Sequence, residues 1–269
     1  MKSFEKIKTA LVAGLFLPAL MLILTSLSGD STLLFEGITN FDVDVAGNVF
    51  VQKGNTIGKY DGNRQKQASY TNYSFGNISS FEAADALNFM VYYSESEQIV
   101  FLDNMLSVKR SPIDLALLGF PQVSVVCPSY NTGFWLFDNV SHKLIRFNRL
   151  LQKTQSTGNL QQITGQVPEP FLMRESGEYV LLADSSKGIF VFDRYGAYLK
   201  SIPIHRITEF QMIGDKLNLL RNDTLLSVDM KTSAIDTVPL PFAKVVKFKF
   251  SVGKFYYQTL EGKLYTVSL

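Results

Sequence analysis

Carboxylates are the side chains in this sequence whose positions could assemble a reactive site. Asp42, Glu82, Glu169 and Glu209 each fall in a short apolar segment that opens one unit of a repeating pattern. Hard metal ions prefer oxygen ligands of this kind. If those segments line a common axis, the four carboxylates become candidate metal ligands. The alternative, which the sequence favours, is a set of scattered acids at strand starts and turns, with no metal and no cofactor.

Other catalytic groups are isolated from one another. His142 lies in a polar turn and His205 lies between two units, and neither has a histidine partner at ligand spacing. Cys127, the sole cysteine, sits in an apolar strand context typical of a buried thiol. No sequence string typical of a serine hydrolase, a nucleotide-binding loop, a zinc protease or an EF-hand occurs. The sequence therefore names no catalytic residue.

A few residues are candidates for contact with a partner. Trp135 is the sole tryptophan, a residue type common in protein interfaces and sugar sites, although its strand context favours core packing. Lys247, Lys249 and Lys254 belong to the one basic patch, which alternates Lys and Phe. We therefore predict these four side chains as partner-contact candidates, with a solvated strand end as the alternative for the lysines.

A repeat of about 42 residues positions these side chains. The segment that begins at Asp42 and ends at Tyr60-Asp61 returns later as a segment ending at Phe192-Asp193. Four further units share the order of strands and turns but not the residues themselves. The residues that end the third strand of each unit are Asp61, Asp103, Asn148, Asp193, Asp229 and Ser268. Repeats of this length are typical of propellers and solenoids.

Each unit contains four short strands separated by turns. The segments are rich in β-branched and aromatic residues and bounded by Gly, Asn, Asp or Ser. The first, innermost strands are predicted at about 38–45, 78–84, 120–126, 168–174, 207–213 and 244–250. Four strands in a unit of this length describe one blade of a β-propeller. The sequence predicts an all-β, six-bladed propeller.

The two ends of the repeat region complement each other. The sixth unit stops at Leu269 after three strands, whereas residues 31–37 form a strand left over before the first unit. Pairing the two would complete the sixth blade and remove a free sheet edge. Residues 111–119 are predicted as a helical turn or loop, and residues 152–170 as the longest loop, containing a weak outer strand.

The best-preserved units resemble NHL-type six-bladed propeller repeats. The resemblance is carried by residues 42–51 with Tyr60-Asp61, and by residues 176–180 with Phe192-Asp193. The arrangement of strands is similar over the whole propeller, whereas the residues themselves are similar in two blades. The resemblance to divergent NHL-like propellers of bacterial envelopes implies a binding platform in most cases and a metal-dependent hydrolase or lyase in some.

Charge argues against a nucleic-acid partner. Lys2, Lys6 and Lys8 against Glu5 account for the formal charge of +2, so residues 29–269 carry 23 basic and 23 acidic side chains. A neutral body lacks the positive surface that nucleic acid requires. The 46% hydrophobic content is ample for a folded core.

The first residues match a signal peptide. A lysine-containing start precedes an apolar run over residues 10–24, and Ser26 and Ser28 suit a cut before Gly29. The alternative is an uncleaved membrane anchor over residues 9–27. We predict residues 1–28 as the targeting segment, residues 29–269 as one monomeric propeller domain, and an exported, periplasmic or envelope location.

Three functions follow in order of support. The first is a non-catalytic exported propeller that binds another protein as a scaffold or accessory in a cell-envelope assembly. The second is a metal-dependent hydrolase or lyase with its site in the central channel. The third is a carbohydrate or other ligand receptor that uses exposed aromatic residues.

Overall fold

The computed structural model describes residues 30–83 and 88–269 and contains six sheets of four antiparallel strands. The chain begins with β1 (Thr32–Phe35), and blade one follows with β2 (Asn40–Val43), β3 (Val49–Lys53), β4 (Thr56–Tyr60) and β5 (Lys66–Thr71). Blade two consists of β6 (Ser80–Glu82), β7 (Phe89–Tyr93), β8 (Gln98–Leu102) and β9 (Ile113–Asp114). Blade three consists of β10 (Val123–Ser129), β11 (Gly133–Asp138), β12 (Lys143–Phe147) and β13 (Lys153–Ser156).

The short helix α1 (Leu160–Thr164) follows blade three. Blade four consists of β14 (Leu172–Ser176), β15 (Tyr179–Asp184), β16 (Gly188–Asp193) and β17 (Tyr198–Ile202). Blade five consists of β18 (Glu209–Ile213), β19 (Lys216–Arg221), β20 (Thr224–Asp229) and β21 (Ile235–Pro239). Blade six contains β22 (Val245–Ser251), β23 (Lys254–Thr259) and β24 (Leu264–Ser268). The six-bladed all-β propeller predicted from the repeat is confirmed.

The first strand closes the ring. Strand β1 pairs antiparallel with β24, so the sixth sheet runs in the order β1, β24, β23, β22. Just beyond β1, the backbone N–H of Ile38 donates to the carbonyl of Gly262 at 3.0 Å. Gly262 has a φ of +72° and a Cβ there would stand 2.8 Å from the Ile38 carbonyl, so a side chain at this position is excluded. The left-over strand therefore completes the sixth blade.

The hydrophobic core lies between blades rather than inside them. Within the described residues, each buried apolar cluster joins two neighbouring sheets, and one of them joins blades six and one through Phe41, Val51, Tyr256 and Leu264. Strands buried on both faces explain the nearly continuous apolar runs of the second and third strands. Removing any one blade would therefore expose the apolar clusters on both of its sides.

In blades one to five, the Asp or Asn that ends the third strand holds the next turn. Oδ1 of Asp61, Asp103, Asn148 or Asp193 accepts the backbone N–H groups two and four residues ahead, at 2.8–3.0 Å. Asp229 does the same two and three residues ahead. This is an Asx turn, and it is the physical reason for the repeated marker.

These turns define one face of the ring. We call the end that carries the turns after the first and third strands the Asx face. The opposite end carries the blade-to-blade connections and the turns after the second strands, and we call it the crossover face. The sequence markers thus fix which loops share a surface.

Two innermost strands differ from their predicted positions. Strand β10 begins after Pro121, and β14 begins at Leu172, after Pro168 and Pro170. Proline lacks the N–H that a sheet ladder needs, so both strands start later than the apolar pattern predicts. The 111–119 segment forms β9 and a turn, and the 152–170 segment contains β13 and α1.

No helix in the described ranges is long and apolar enough to cross a bilayer. The predicted targeting segment, residues 1–28, lies outside the described residues.

Replacing Asp193 tests the turn mechanism. Asp193→Ala removes the acceptor for the N–H groups of Tyr195 and Ala197 and lowers the free energy of unfolding by about 1–2 kcal/mol in urea titrations. Asp193→Asn keeps the acceptor, as Asn148 does in blade three, and stays near wild type. Equal losses for both variants would contradict the mechanism.

Candidate functional site

Six charged side chains from five blades meet at the axis of the ring. Within the described residues, this axial cluster consists of Asp42, Glu82, Arg174, Glu209, Lys247 and Lys249. Each comes from the innermost strand of its blade, and blade three contributes none of the six. With three acids and three bases, the cluster can neutralise itself.

Lys249 and Asp42 pair across the junction of blades six and one. Lys249 Nζ lies 2.8 Å from Asp42 Oδ1, and both side chains are buried. Asp42 Oδ2 also accepts the backbone N–H of Ala83 at 2.8 Å. Burial alone would raise the pKa of Asp42, but Lys249 and Lys247 outweigh it and hold the pKa at about 2.

Glu209 is held by two cations. Arg174 Nη1 lies 2.6 Å from Glu209 Oε1, and Lys247 Nζ lies 3.8 Å from Oε2. Lys247 also donates to Asn40 Oδ1 at 2.8 Å. Burial lowers the pKa of Lys247 despite the acids around it, while Glu209 and Glu82 outweigh burial and raise the pKa of Arg174.

Glu82 differs from the other acids of the cluster. Its side chain makes no ion pair or hydrogen bond with the described residues. Burial raises the pKa of Glu82 to about 7, although Arg174 and Lys249 pull the pKa down. Near neutral pH the carboxyl is therefore divided between its acid and its carboxylate forms.

The axial cluster divides the central channel. A cavity of about 170 Å³ opens towards the Asx face beside Asp44 and Ser176. A second cavity of about 220 Å³ opens towards the crossover face beside Ser79 and Phe171. Glu82 and Arg174 line both, so the ion pairs separate the two openings.

The four candidate carboxylates do not form a ring around the axis. Asp42, Glu82 and Glu209 reach the axis, but Asp42 and Glu209 face cations. Glu169 is exposed in the loop between two prolines before β14, where its backbone N–H donates to Asp184 Oδ2 at 2.8 Å. In residues 30–83 and 88–269 no group of three or more His, Cys, Asp or Glu side chains is arranged to hold a metal ion.

Glu175, just beyond the predicted strand, has a structural role. Its carboxylate accepts hydrogen bonds from Ser129 Oγ, from the N–H of Tyr130 and, at 2.7 Å, from Trp135 Nε1. Arg146 Nε donates to the same Ser129 hydroxyl at 2.7 Å. This network joins blades three and four beside the channel.

The partner-contact candidates occupy different environments. Trp135 has no exposed surface and packs in the core, so it lies away from any docking surface. Lys249 and Lys247 belong to the axial cluster, so the basic patch of the sequence points inward. Lys254 starts β23 on the Asx face and is partly exposed. His205 is exposed on the crossover face, and burial raises the pKa of the buried Cys127 thiol.

The Asx face displays an arc of exposed apolar side chains. Met105, Leu150 and Tyr195 are 52%, 69% and 65% exposed, and each sits two residues after the Asx residue of blades two, three and four. Each backbone N–H donates to that Asx oxygen at 2.8–2.9 Å, which fixes the direction of the turn. We call these three side chains the apolar arc. Sequence reasoning missed it, although its signal was an apolar residue two positions after three of the markers, Asp103, Asn148 and Asp193.

Comparison with known proteins shows the fold and no family. No protein-family model and no curated protein matches the chain. Similar solved structures include the WD40 domain of Pan2 from Neurospora crassa, with a TM-score of 0.63, 8% identity, and coverage of 90% of this chain and 89% of that one. Virginiamycin B lyase from Staphylococcus aureus has a TM-score of 0.61, 13% identity, and coverage of 86% and 80%.

A third similar structure is BBS1N in complex with ARL6DN, with a TM-score of 0.55, 13% identity, and coverage of 82% and 75%. At such identities the likeness establishes a β-propeller architecture that proteins of different function share. The described residues therefore form a propeller whose role has to be argued from its own side chains.

Titration of Glu82 makes stability depend on pH. Because its pKa is raised from 4.5 to about 7 in the fold, its contribution to the free energy of unfolding is full below about pH 4.5 and is lost as the pH rises through about 7. Glu82→Gln removes this loss and exceeds wild type in stability at pH 8. Urea titrations from pH 5 to pH 8 measure it, with exposed Glu36→Gln as the control. Parallel profiles for wild type and Glu82→Gln would contradict the assignment.

Breaking the Lys249–Asp42 pair is costly. Lys249→Met leaves a buried carboxylate without its cation and lowers the free energy of unfolding by about 3–5 kcal/mol. Adding Asp42→Asn recovers much of the loss. The exposed pair of Lys263 and Glu261 supplies the control, since Lys263→Met costs less than about 1 kcal/mol. A small cost for Lys249→Met would show that the pair does not support the ring.

Proposed function

We propose that the chain is a non-catalytic, exported β-propeller that binds another protein of the cell envelope, as a scaffold or accessory, through its Asx face. The observation that carries the proposal is the apolar arc. Three neighbouring blades present a large exposed apolar side chain at the same turn position, on a rigid backbone. Large exposed apolar side chains grouped on one face beside polar residues are the kind of surface that protein partners cover.

The surroundings of the arc favour a protein with acidic groups. Arg149 is exposed next to Leu150, and Arg194 is partly exposed next to Tyr195, where it pairs with Glu178 at 3.1 Å. A partner segment that combines apolar and acidic residues would bury the arc and meet these cations. Cations at the edge of an apolar patch speed association and select the partner.

The axial cluster supports a binding role over metal-dependent catalysis. A metal site needs several free oxygen ligands converging on one point. Here Lys249 binds Asp42, and Arg174 and Lys247 hold Glu209, which leaves Glu82 as the only acid of the cluster without a paired cation among the described residues. A single carboxyl is a poor cage for a hard ion.

A lyase role has weaker support. A variant of the similar virginiamycin B lyase with one histidine replaced by alanine is catalytically inactive. In this chain His142 lies in the turn between β11 and β12 and His205 in the loop between β17 and β18, both away from the axis. A carbohydrate role through Trp135 is equally disfavoured by the burial of that side chain.

The proposal also includes export, a monomeric state and an origin from NHL-like repeats. The signal-like pattern of residues 1–28 supports export to the periplasm or envelope. Pairing of β1 with β24 completes the sixth blade from the same chain, so the ring closes without a strand from a second copy, which supports a monomer. The Asx turns at Asp61 and Asp193 support an NHL-like origin.

Substitutions on the two faces test the docking surface. In a tagged full-length chain purified from its native cells, Leu150→Ser and Tyr195→Ser lower the yield of the co-purifying protein at least tenfold, because each removes a large anchor. Leu117→Ser and Val140→Ser, which are 86% and 63% exposed on the crossover face, are the matched controls and keep it. Mass spectrometry of the same material tests export, which a mature N-terminus at Gly29 supports.

Loss of the partner with the crossover-face variants alone, or retention with all four, would contradict docking on the Asx face. Circular dichroism of each variant confirms that the propeller is folded. These positions are exposed, so the substitutions leave the core intact.

A further inference from the structure

The channel opening on the crossover face has the make-up of a small-ligand site. Its cavity has a volume of about 220 Å³ and holds both charged and apolar side chains. Glu82 and Arg174 line its inner end, and Phe171, Leu172 and Val246 supply apolar surface that is at least partly accessible. Pockets for drug-sized molecules measure about 300–1,000 Å³, so this cavity suits a smaller ligand. We call it the crossover cavity.

Glu82 offers free acceptor oxygens to this cavity. The residue keeps part of its surface accessible, and its carboxyl makes no ion pair or hydrogen bond with the described residues. The other acids of the axial cluster are occupied, since Lys249 contacts Asp42 and Arg174 contacts Glu209. A carboxyl withdrawn from bulk water without a protein partner calls for a donor from another molecule.

Arg174 offers a donor edge at the same place. Its Nη1 group already donates to Glu209 Oε1 and to the carbonyl of Phe210. The Nε and Nη2 groups make no hydrogen bond with the described residues and are not closed off from solvent, and the side chain keeps 13% of its surface accessible. Their two N–H bonds point in parallel, which matches the two oxygens of a carboxylate.

The gap between Glu82 and Arg174 has room for one small group. Burial raises the pKa of Glu82, and among the neighbouring charges Arg174 lowers it most, yet no ion pair joins the two side chains. They are therefore close to each other without being in contact. A ligand that fills this gap has to donate to Glu82 and accept from Arg174.

Charge balance sets the net charge of that ligand. The axial cluster contains three acids and three bases, so it is neutral when Glu82 is ionised. A ligand with a net charge would leave an unbalanced ion at the axis, which is costly away from bulk water. A ligand that carries one ammonium and one carboxylate satisfies both side chains and keeps the axis neutral.

We propose that the crossover cavity binds a free amino acid with a short apolar side chain, in its zwitterionic form. The ammonium donates to Glu82, and the carboxylate accepts from the Nε and Nη2 groups of Arg174. The apolar side chain of the ligand lies against Phe171, Leu172 and Val246. The site is on the opposite face from the apolar arc, so this inference goes beyond the proposed function and does not depend on it.

L-Leucine is the probe of the cavity. Isothermal titration calorimetry of the full chain at pH 8 gives saturable binding at millimolar leucine or below. Three analogues, each lacking one group, bind at least about tenfold more weakly: 4-methylpentanoate lacks the ammonium, 3-methylbutylamine lacks the carboxylate, and glycine lacks the apolar side chain. Absence of saturation by leucine, or an affinity for any analogue equal to that for leucine, would overturn the proposal.

Replacing Glu82 tests its contact with the ammonium. Glu82→Gln keeps the size of the side chain and removes the charge, so the affinity for leucine falls at least about tenfold while that for 4-methylpentanoate does not fall. Glu169→Gln, which changes an exposed glutamate on the same face, is the matched control and leaves both affinities in place. Circular dichroism confirms that each variant is folded. Unchanged leucine affinity in Glu82→Gln would contradict the assignment.

Replacing Phe171 tests the apolar wall at an accessible position. Phe171 is 40% exposed, so Phe171→Ser leaves the core intact. The affinity for leucine falls several-fold, whereas that for glycine stays in place because glycine has no side chain to lose contact. Equal leucine affinities for Phe171→Ser and wild type would show that the ligand does not use this wall and would overturn the stated ligand class.

The pH dependence of binding is an independent readout. The charged and titratable groups around Glu82 are Arg174, Lys249, Asp42, Lys247 and the Cys127 thiol. Because the pKa of Glu82 is about 7 in the free protein and the ammonium needs the ionised carboxylate, the affinity for leucine falls at least about tenfold from pH 8 to pH 5. The Glu82→Gln variant has a flat profile over this range. A flat profile for wild type, or the same fall in the variant, would overturn the proposal.

Discussion

Neutralisation of charge at the axis is the constraint on which the rest of the ring depends. Six blades bring their innermost strands together, and charged side chains on those strands leave bulk water. Buried ions are tolerated only when they are paired. Lys249 with Asp42, and Arg174 with Glu209, meet that condition across two blade junctions. The same pairing that lets the strands converge also occupies the oxygens that a metal would need.

Because ion pairs occupy the axial carboxylates, we look for a protein-binding site on the two faces of the ring rather than in the channel. A sealed axis leaves two shallow openings, and Glu82 is the one acid there without a pairing cation among the described residues. The Asx face presents exposed apolar side chains in a fixed array, with Arg149 and Arg194 beside them. The Asx turns serve both purposes, since the hydrogen bonds that end each third strand also orient Met105, Leu150 and Tyr195.

Much of the fold was predictable because its signals are local. Asp61 and Asp193 mark turns through their own side chains, and the left-over residues 31–37 matched a blade that was one strand short. The axial site was less accessible. Pro168 and Pro170 delay β14, which takes Glu169 out of the channel and puts Glu175 into a network with Trp135 that no spacing rule reveals.

The two lysines at the axis are visible in the sequence as an alternating pattern, but the pattern does not say which way their side chains point. Lys247 and Lys249 alternate with phenylalanines on the last innermost strand, so they share one side of it. That side of the strand faces the channel, where Lys249 contacts Asp42 of blade one and Lys247 contacts Glu209 of blade five. Arg174 pairs with Glu209 over 35 residues of sequence. Such long-range pairing depends on the closed ring and cannot be deduced from either segment alone.

Site-specific photo-crosslinking in the native cells tests the central claim most directly. A photoreactive amino acid replaces Leu150 on the Asx face in one chain and Leu117 on the crossover face in another. The account predicts a single crosslinked envelope protein from position 150 and none from position 117. Crosslinks from position 117 alone, or none from either position, would contradict the claim that the Asx face is the docking surface.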